Sequence, residues 1–260
     1  MASRKQEKEA RRQERLQAEQ SAAAEQRRKK LFTGIGAAAL AAVVVVVVLI
    51  VVSQSGSDDT AAGGGDVAGA AEVEAELAGV PQSGTVLGDA EAKVSVVEFG
   101  DLQCPACKQF SEVITPELVD GVVKNGDANL EFLNFTIIGP DSTVAAKAAL
   151  AASEQDRYWE YVELFYRNQG RENDGYAADD AFLTDIARGA GVPDLAAWEE
   201  SRNDPKWDDR LAETQQRAAS LGFQSTPSIL IVGPDGEEIP LGSVGSVGDI
   251  EDAITQALQG

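Results

Sequence analysis

The chain has 260 residues, with 22 basic and 43 acidic side chains, a formal net charge of −21 and no histidine. Residues 1–30 carry a net charge of +5 and residues 31–260 carry −26, which argues against nucleic-acid binding by the main part of the chain because a phosphate backbone would be repelled. With no histidine and only two cysteines, a closed zinc site would need ligands from carboxylates or from another chain, so we expect neither a metal nor a cofactor.

The first 52 residues predict a membrane anchor with a cytoplasmic tail. Residues 1–30 are polar and basic and lack an apolar stripe, as expected of a solvated tail. Residues 31–52 contain no charged side chain and, at a rise of about 1.5 Å per residue, would span roughly 33 Å, enough to cross a hydrocarbon core of about 30 Å. The basic cluster at residues 27–30 predicts that the N-terminus stays in the cytoplasm and that the chain after the span lies outside. A cleaved signal peptide is the alternative, but its apolar region is typically shorter.

The segment after the span, residues 53–83, is rich in glycine, alanine, serine and aspartate. This composition predicts a flexible tether that lets a folded domain stand away from the membrane. A brief helix over residues 70–77 fits the pattern, although nothing in the prediction depends on it. We therefore expect a single folded domain over residues 84–260.

The two cysteines lie where a predicted strand passes into a predicted helix. Residues 94–99 are apolar and β-branched, which predicts a buried strand, and apolar residues recur at helical spacing over residues 110–123. A sulfur at the first turn of a helix faces unpaired backbone N–H groups and the positive end of the helix dipole, which favours the thiolate. Cys104 is therefore the candidate nucleophile, and Cys107, one turn later and expected to be more buried, is the candidate resolving thiol.

The Cys104-Pro105-Ala106-Cys107 segment has three interpretations. A structural disulfide would close a very small loop and would constrain the unfolded chain little. A metal site lacks further cysteine or histidine ligands. A redox-active pair is favoured, because Pro105 suits a first helical turn, Ala106 adds no charge, and exchange of disulfides outside the cytoplasm needs enzymes.

The rest of the chain indicates an α/β domain. Residues 129–135 alternate apolar and polar side chains and predict a strand parallel to the first one. Residues 142–223 have an almost wholly helical pattern. Residues 228–241, with a Gly-Pro-Asp-Gly turn at 233–236, predict an antiparallel hairpin, and residues 247–258 predict a closing helix.

Three motifs follow one another in a recognisable order: Glu98-Phe99 and Asp101 before the cysteines, the cysteine pair itself, and Ser225-Thr226-Pro227-Ser228 before an apolar strand. Together they resemble the DsbA-like branch of the thioredoxin-fold thiol:disulfide oxidoreductases, over residues 84–260. The resemblance implies an α/β thioredoxin-like fold with a large helical insertion at about residues 142–223, here preceded by one transmembrane helix.

The resemblance also implies roles for residues outside the cysteine pair. Pro227 would follow a cis peptide bond opposite the dithiol, and the Thr226 backbone would pair with an extended substrate strand. Glu98 would be a partly buried acid that exchanges protons with Cys107. The alternative for Glu98 is an exposed strand carboxylate without a redox role, and the sequence leaves both open.

The function expected from these features is a membrane-anchored, extracytoplasmic thiol:disulfide oxidoreductase without a bound cofactor. It would exchange disulfides with secreted or envelope proteins, as an oxidase in the first instance, and a membrane redox partner would recycle its dithiol. Because relatives that are the strongest oxidants carry a histidine between the cysteines, the Pro-Ala pair predicts a milder oxidant. A disulfide reductase or isomerase is the alternative direction, and a non-catalytic thioredoxin-fold binding module is the alternative class.

Overall fold

The computed structural model describes residues 67–259. The predicted cytoplasmic tail (residues 1–30), the predicted span (31–52) and the first part of the predicted tether (53–66) lie outside this range. No helix within residues 67–259 is both long enough and apolar enough to cross a membrane.

The described chain contains eight α-helices and six strands. In chain order they are α1 (Ala70–Leu77), β1 (Gln82–Ser83), β2 (Val86–Leu87), β3 (Val94–Gly100), α2 (Pro105–Leu118), β4 (Ala128–Asn134), α3 (Pro140–Ser153), α4 (Tyr158–Arg167), α5 (Asp180–Gly189), α6 (Leu195–Ser201), α7 (Lys206–Ser220), β5 (Ser228–Val232), β6 (Glu238–Gly242) and α8 (Val247–Ala257). A short 3₁₀ helix occupies Tyr176–Ala178.

The strands form one mixed sheet in the order β1-β2-β4-β3-β5-β6. β3 and β4 are parallel and are joined through α2, while β5 pairs antiparallel with β3 on one side and with β6 on the other. β3 is buried along almost its whole length, as its mainly apolar, β-branched sequence predicts for a central strand covered on both faces. The predicted parallel pair and the predicted C-terminal hairpin are confirmed.

The predicted helical insertion is also confirmed: α3 to α7 lie between β4 and β5. Helix α3 buries a run of alanines, whose small side chains allow neighbouring helices to pack closely. Helix α4 buries its aromatic and aliphatic side chains around the same core. The insertion therefore extends the core of the half of the domain that contains β3, β4 and β5.

The prediction of a tether up to residue 83 is wrong at its C-terminal end. Helix α1 and strand β1 lie within that segment, and α1 packs against α4. Val73 and Leu77, four residues apart on one helical face, are only 2% and 5% exposed, and Glu76 forms a 2.7 Å ion pair with Arg167. The brief helix over residues 70–77 is present as the sequence suggested, but its packing against α4, which buries this apolar face and stabilises the helix, was not predicted.

Helix α2 ends before residue 123, where the spacing of apolar residues predicted it to continue. Regular α-helix ends at Leu118, and a wider π-helical turn over Val119–Val123 follows. Pro116 lies inside the last turn of the regular helix, and because proline has no backbone N–H, one helical hydrogen bond is missing there. The N-terminal half, which carries the cysteines, is regular.

Candidate active site

The cysteine pair lies at the carboxyl end of β3, in the centre of the sheet. Cys104 is the N-cap residue of α2 and has an extended backbone, and Pro105 occupies the first helical position. Both cysteines are free thiols; Cys104 is 6% exposed and Cys107 is fully buried. The expectation that Cys107 is the more buried thiol is confirmed.

The two thiols have opposite pKa shifts. The pKa of Cys104 is lowered from 9.0 to about 6, chiefly by a hydrogen bond from Cys107 and against the effect of burial, with further help from the Thr226 side chain and the backbone N–H groups of Cys107 and Ala106. Burial and the hydrogen bond to Cys104 raise the pKa of Cys107 well above its usual value. Near neutral pH, the reduced pair therefore holds a thiolate at Cys104 and a thiol at Cys107.

The loop before β5 lies against the cysteine pair. The Thr226–Pro227 peptide bond is cis, as predicted, and the Cys104 thiol lies 3.4 Å from the carbonyl oxygen of Thr226. The antiparallel register, in which Ser228 pairs with Phe99, brings this loop next to the turn that carries the dithiol. Cys104, Thr226 and Pro227 are thus brought together from two separate parts of the chain.

A groove of about 340 Å³ opens beside the dithiol. Its walls come from Ala106 and the following two turns of α2, from Pro227, and from the loop after β6. Val113 is 51% exposed, which is unusual for a large apolar side chain in this part of the chain and gives one wall of the groove an apolar surface. The groove has the shape and the mixed polarity that suit an extended peptide.

Glu98 is buried, with 6% of its surface exposed, and no donor in the described part of the chain lies within hydrogen-bond distance of its Oε1 atom. Burial raises its pKa well above the usual range, and nearby Glu163 and Cys104 add to this effect. Glu98 in turn raises the pKa of Cys107. Of the two sequence alternatives, the structure therefore has the buried acid near the dithiol and not the exposed strand carboxylate.

A second buried acid, which the sequence analysis did not single out, lies on helix α4. Glu163 is 2% exposed and accepts a 2.6 Å hydrogen bond from the hydroxyl of Ser111, which lies one turn after Cys107 on α2. Burial raises its pKa to about 8, although the Ser111 hydrogen bond lowers it. Its position four residues after Trp159 and three before Tyr166, on the apolar face of the helix, is the sequence signal that predicts its burial.

The turn between β3 and α2 is held by Asp101, whose side chain is fully buried. Its carboxylate accepts backbone hydrogen bonds from Gln103 at 2.9 Å, from Ile137 at 2.8 Å and from Ile138 at 3.0 Å. Its own carbonyl accepts the backbone N–H of Cys104 at 2.8 Å. The motif residue Asp101 therefore ties the cysteine turn to the loop after β4.

Gly100 makes room for this arrangement. A Cβ atom on Gly100 would lie 2.4 Å from the ring of Phe132 and 3.0 Å from Glu98 Oε1. A larger residue at the end of β3 would displace the neighbouring strand or the buried carboxyl group.

The described residues include no group of three or more acidic or cysteine side chains that could hold a metal ion.

The region that holds the cysteine pair and the cis-proline loop is similar to known proteins. Residues 81–239 match the thioredoxin family. A probable disulfide bond formation protein D from Bacillus cereus is 30% identical over 149 residues, which cover 56% of this chain and 69% of the relative. The crystal structure of a thioredoxin-like oxidoreductase from Silicibacter pomeroyi is 29% identical, with a TM-score of 0.56, and covers 67% of this chain and 92% of its own. The crystal structure of oxidised BdbD from Bacillus subtilis is 25% identical to this chain, with a TM-score of 0.59. The match covers 70% of this chain and 97% of the BdbD chain. The range matched by the family contains both cysteines, the helical insertion and the Thr226–Pro227 bond.

Proposed function

The chain belongs to the thioredoxin family and is a thiol:disulfide oxidoreductase of the DsbA type, and from this premise we propose that it acts as a mild oxidase of protein thiols outside the cytoplasm. Cys104 is the nucleophile, Cys107 the resolving thiol, and Glu98 the acid that exchanges a proton with Cys107. A membrane-bound redox partner that accepts two electrons reoxidises the dithiol after each cycle.

In the oxidising direction, the reaction begins with the Cys104–Cys107 disulfide. A substrate thiolate attacks the sulfur of Cys104, the disulfide bond breaks, and its electron pair passes to the sulfur of Cys107, which takes a proton that Glu98 is placed to supply. A second substrate thiolate then attacks the substrate sulfur of the mixed disulfide, and Cys104 leaves as a thiolate. Two substrate thiols have been oxidised to a disulfide, and the protein has taken up two electrons.

The observation that carries the oxidising direction is the low pKa of Cys104, about 6. A stabilised thiolate is a good leaving group and stabilises the reduced protein, which makes the corresponding disulfide a better oxidant. Because the Pro-Ala pair lacks the histidine that the strongest oxidants of the DsbA type carry between their cysteines, we expect an oxidant milder than those.

The groove beside the dithiol supports proteins as substrates. An extended chain lying in it would pass Pro227, the exposed side chain of Val113 and Ala106, which lies between the two cysteines. The Thr226 backbone is the expected partner for main-chain hydrogen bonds, which are independent of the substrate sequence. We therefore expect unfolded or extended thiol-containing segments to be preferred over compact ones.

We also propose that residues 31–52 anchor the protein in the membrane, with residues 1–30 in the cytoplasm and the catalytic domain outside. The support comes from the uncharged stretch and from the basic cluster at residues 27–30. Treatment of intact cells with a membrane-impermeant maleimide tests this proposal. Labelling of reduced Cys104 in intact cells is expected, whereas labelling only after lysis would contradict it.

The decisive test of direction is the reduction potential of the Cys104/Cys107 pair, measured by equilibration with glutathione and thiol trapping. A potential clearly above the value of about −270 mV that is typical of thioredoxin supports the oxidase, and a potential at or below that value contradicts it. Cys104→Ser is the control for catalysis, because it should abolish oxidation of a reduced, unfolded substrate protein. A binding module that does not use the dithiol would keep its function in that variant.

The buried acid favours one alternative direction. A reductase or isomerase needs Cys107 to lose its proton and attack the mixed disulfide, and Glu98 is placed to accept that proton. Glu98→Gln should therefore slow the release of substrate from a mixed disulfide with Cys104. If this variant is impaired in reduction but not in oxidation, the reducing direction is the better assignment.

A further inference from the structure

The end of helix α4 and the residues that follow it donate three side-chain hydrogen bonds to the turn that carries Cys104. The hydroxyl of Tyr166 donates to the carbonyl of Asp101 at 3.2 Å. The side-chain amide of Gln169 donates to the carbonyl of Leu102 at 2.7 Å and to that of Cys104 at 3.1 Å. The helical insertion thus contacts three of the four carbonyl groups between residues 101 and 104.

These carbonyl groups matter because they belong to the turn that places the Cys104 sulfur at the start of α2. The side-chain amide of Gln169 binds the carbonyls of Leu102 and Cys104 at once and so fixes the backbone on both sides of Gln103. The backbone N–H groups of Ala106 and Cys107, which favour the thiolate, follow directly after this turn. The Cys104 carbonyl also accepts the backbone N–H of Lys108 at 3.1 Å, so its orientation determines how well the first turn of α2 is formed.

We propose that Gln169 is a positioning residue for the Cys104 thiolate: its amide fixes the carbonyls of Leu102 and Cys104 and so keeps the N-terminal turn of α2 aligned with the sulfur. The insertion, which lies outside the thioredoxin-like half, thereby tunes the reactivity of the nucleophile. The proposal rests on the proposed function only in taking Cys104 as the nucleophile, and it holds for either direction of exchange.

The titratable groups around Cys104 stay in place when Gln169 is replaced. They are Cys107 on α2, Glu98 on β3 and Tyr166 on α4, each of which is electrostatically coupled to Cys104. Gln169 is uncharged and only partly buried, so replacing it with alanine adds and removes no ionisable group. A change in the titration of Cys104 would therefore report the loss of the amide donor.

The test is the pH dependence of Cys104 alkylation by iodoacetamide in the reduced protein. Loss of two hydrogen bonds in Gln169→Ala should slow alkylation by roughly 3-fold to 10-fold at about pH 5, where little thiolate is present, and should leave the rate unchanged above about pH 9. The reduction potential of Gln169→Ala should become more negative.

A matched control comes from the residues just before the other end of helix α4. The amide of Gln155 donates to the carbonyl of Asp194 at 2.9 Å, and its oxygen accepts the backbone N–H of the same residue at 2.8 Å. Gln155→Ala removes comparable hydrogen bonds and should leave the alkylation profile unchanged. Tyr166→Phe should have a smaller effect than Gln169→Ala, because the Asp101 carbonyl keeps its bond from the N–H of Cys104.

If Gln169→Ala lowers the denaturation midpoint but leaves both the alkylation profile and the reduction potential unchanged, Gln169 is only a structural residue and the proposal is overturned. An identical shift in Gln155→Ala would overturn it as well, because the effect would then not come from the active-site turn. A wild-type potential at the thioredoxin value would count against the oxidase alone, since alkylation reports on Cys104 whichever direction the protein runs.

Discussion

Replacement of Cys107 by alanine tests the electrostatic basis of the site. The hydrogen bond from Cys107 is the largest cause of the lowered pKa of Cys104, which is about 6 instead of 9.0. A hydrogen bond to a charged group contributes about 1.5–3 kcal/mol, which corresponds to about 1–2 pKa units. We therefore expect the pKa of Cys104 in Cys107→Ala to rise to about 7–8.

The expected shift is large enough to measure by alkylation of Cys104 with iodoacetamide. At pH 6, a rise of 1–2 units lowers the thiolate fraction from about one half to between about one tenth and one hundredth, so alkylation should slow by about 5-fold to 50-fold. At high pH, both proteins are fully ionised at Cys104 and their rates should converge. In the wild type, only one thiol should react near neutral pH, because the pKa of Cys107 is raised well above its usual value.

Cys107→Ser is the matched control, because it keeps a hydroxyl donor of similar size. Its alkylation midpoint should lie closer to the wild-type value than that of Cys107→Ala. If the midpoint in Cys107→Ala stays at about 6, the reasoning is refuted, and the helix N-terminus and Thr226 must then stabilise the thiolate without help from Cys107.

Three further substitutions test other parts of the site. Thr226→Val removes a smaller contribution to the low pKa of Cys104 and should raise the alkylation midpoint by less than Cys107→Ala does. Burial raises the pKa of Glu163 from 4.5 to about 8, so the folded wild type keeps a proton there that the unfolded chain releases, and its stability should fall as the pH rises through this window. Glu163→Gln has no such pH dependence at this position. The unfolding free energy of the variant relative to the wild type, measured by urea denaturation, should therefore increase by about 1 kcal/mol or more when the pH is raised from about 5 to about 8.5. Gly100→Ala places a Cβ atom 2.4 Å from the ring of Phe132 and should cost about 1–3 kcal/mol of unfolding free energy in the same assay.

Each of these has an outcome that would contradict it. A Thr226→Val midpoint as high as that of Cys107→Ala would reverse the order of the two contributions. If the difference in unfolding free energy between Glu163→Gln and the wild type is the same at about pH 5 and at about pH 8.5, Glu163 does not titrate within this window. Gly121→Ala is the control for the glycine, because no atom lies within 4 Å of its added Cβ, and a cost equal to that of Gly100→Ala would rule out the proposed clash.

Much of the scaffold follows from local sequence. Strands β3, β4 and β5 are apolar enough that burial in a sheet is the favourable outcome for each of them, and the spacing of Cys104 and Cys107 places both thiols on the first turn of a helix. The position of Pro227 opposite the dithiol follows from resemblance to a family, since base rates alone make a cis bond uncommon.

Other features depended on contacts that no local pattern encodes. Val73 and Leu77 are an unremarkable pair in a polar segment, and only packing against α4 makes that segment part of the domain. Glu98 lies between apolar neighbours on β3, so the sequence does not tell whether its side chain lies on a buried or an exposed face of the sheet. It is buried because other elements cover both faces of β3.

Local periodicity and spacing were enough to predict the α/β class, the place of the dithiol at a strand-to-helix turn and the extent of the helical insertion, because these signals act over a few residues. Which distant groups meet at the dithiol depends on how the whole domain packs. Glu163 lies 52 residues from its partner Ser111, and the Gln169 amide reaches the Cys104 carbonyl across 65 residues. Such pairs form because the packing of whole helices brings their side chains together, and their energies depend on the burial that this packing creates.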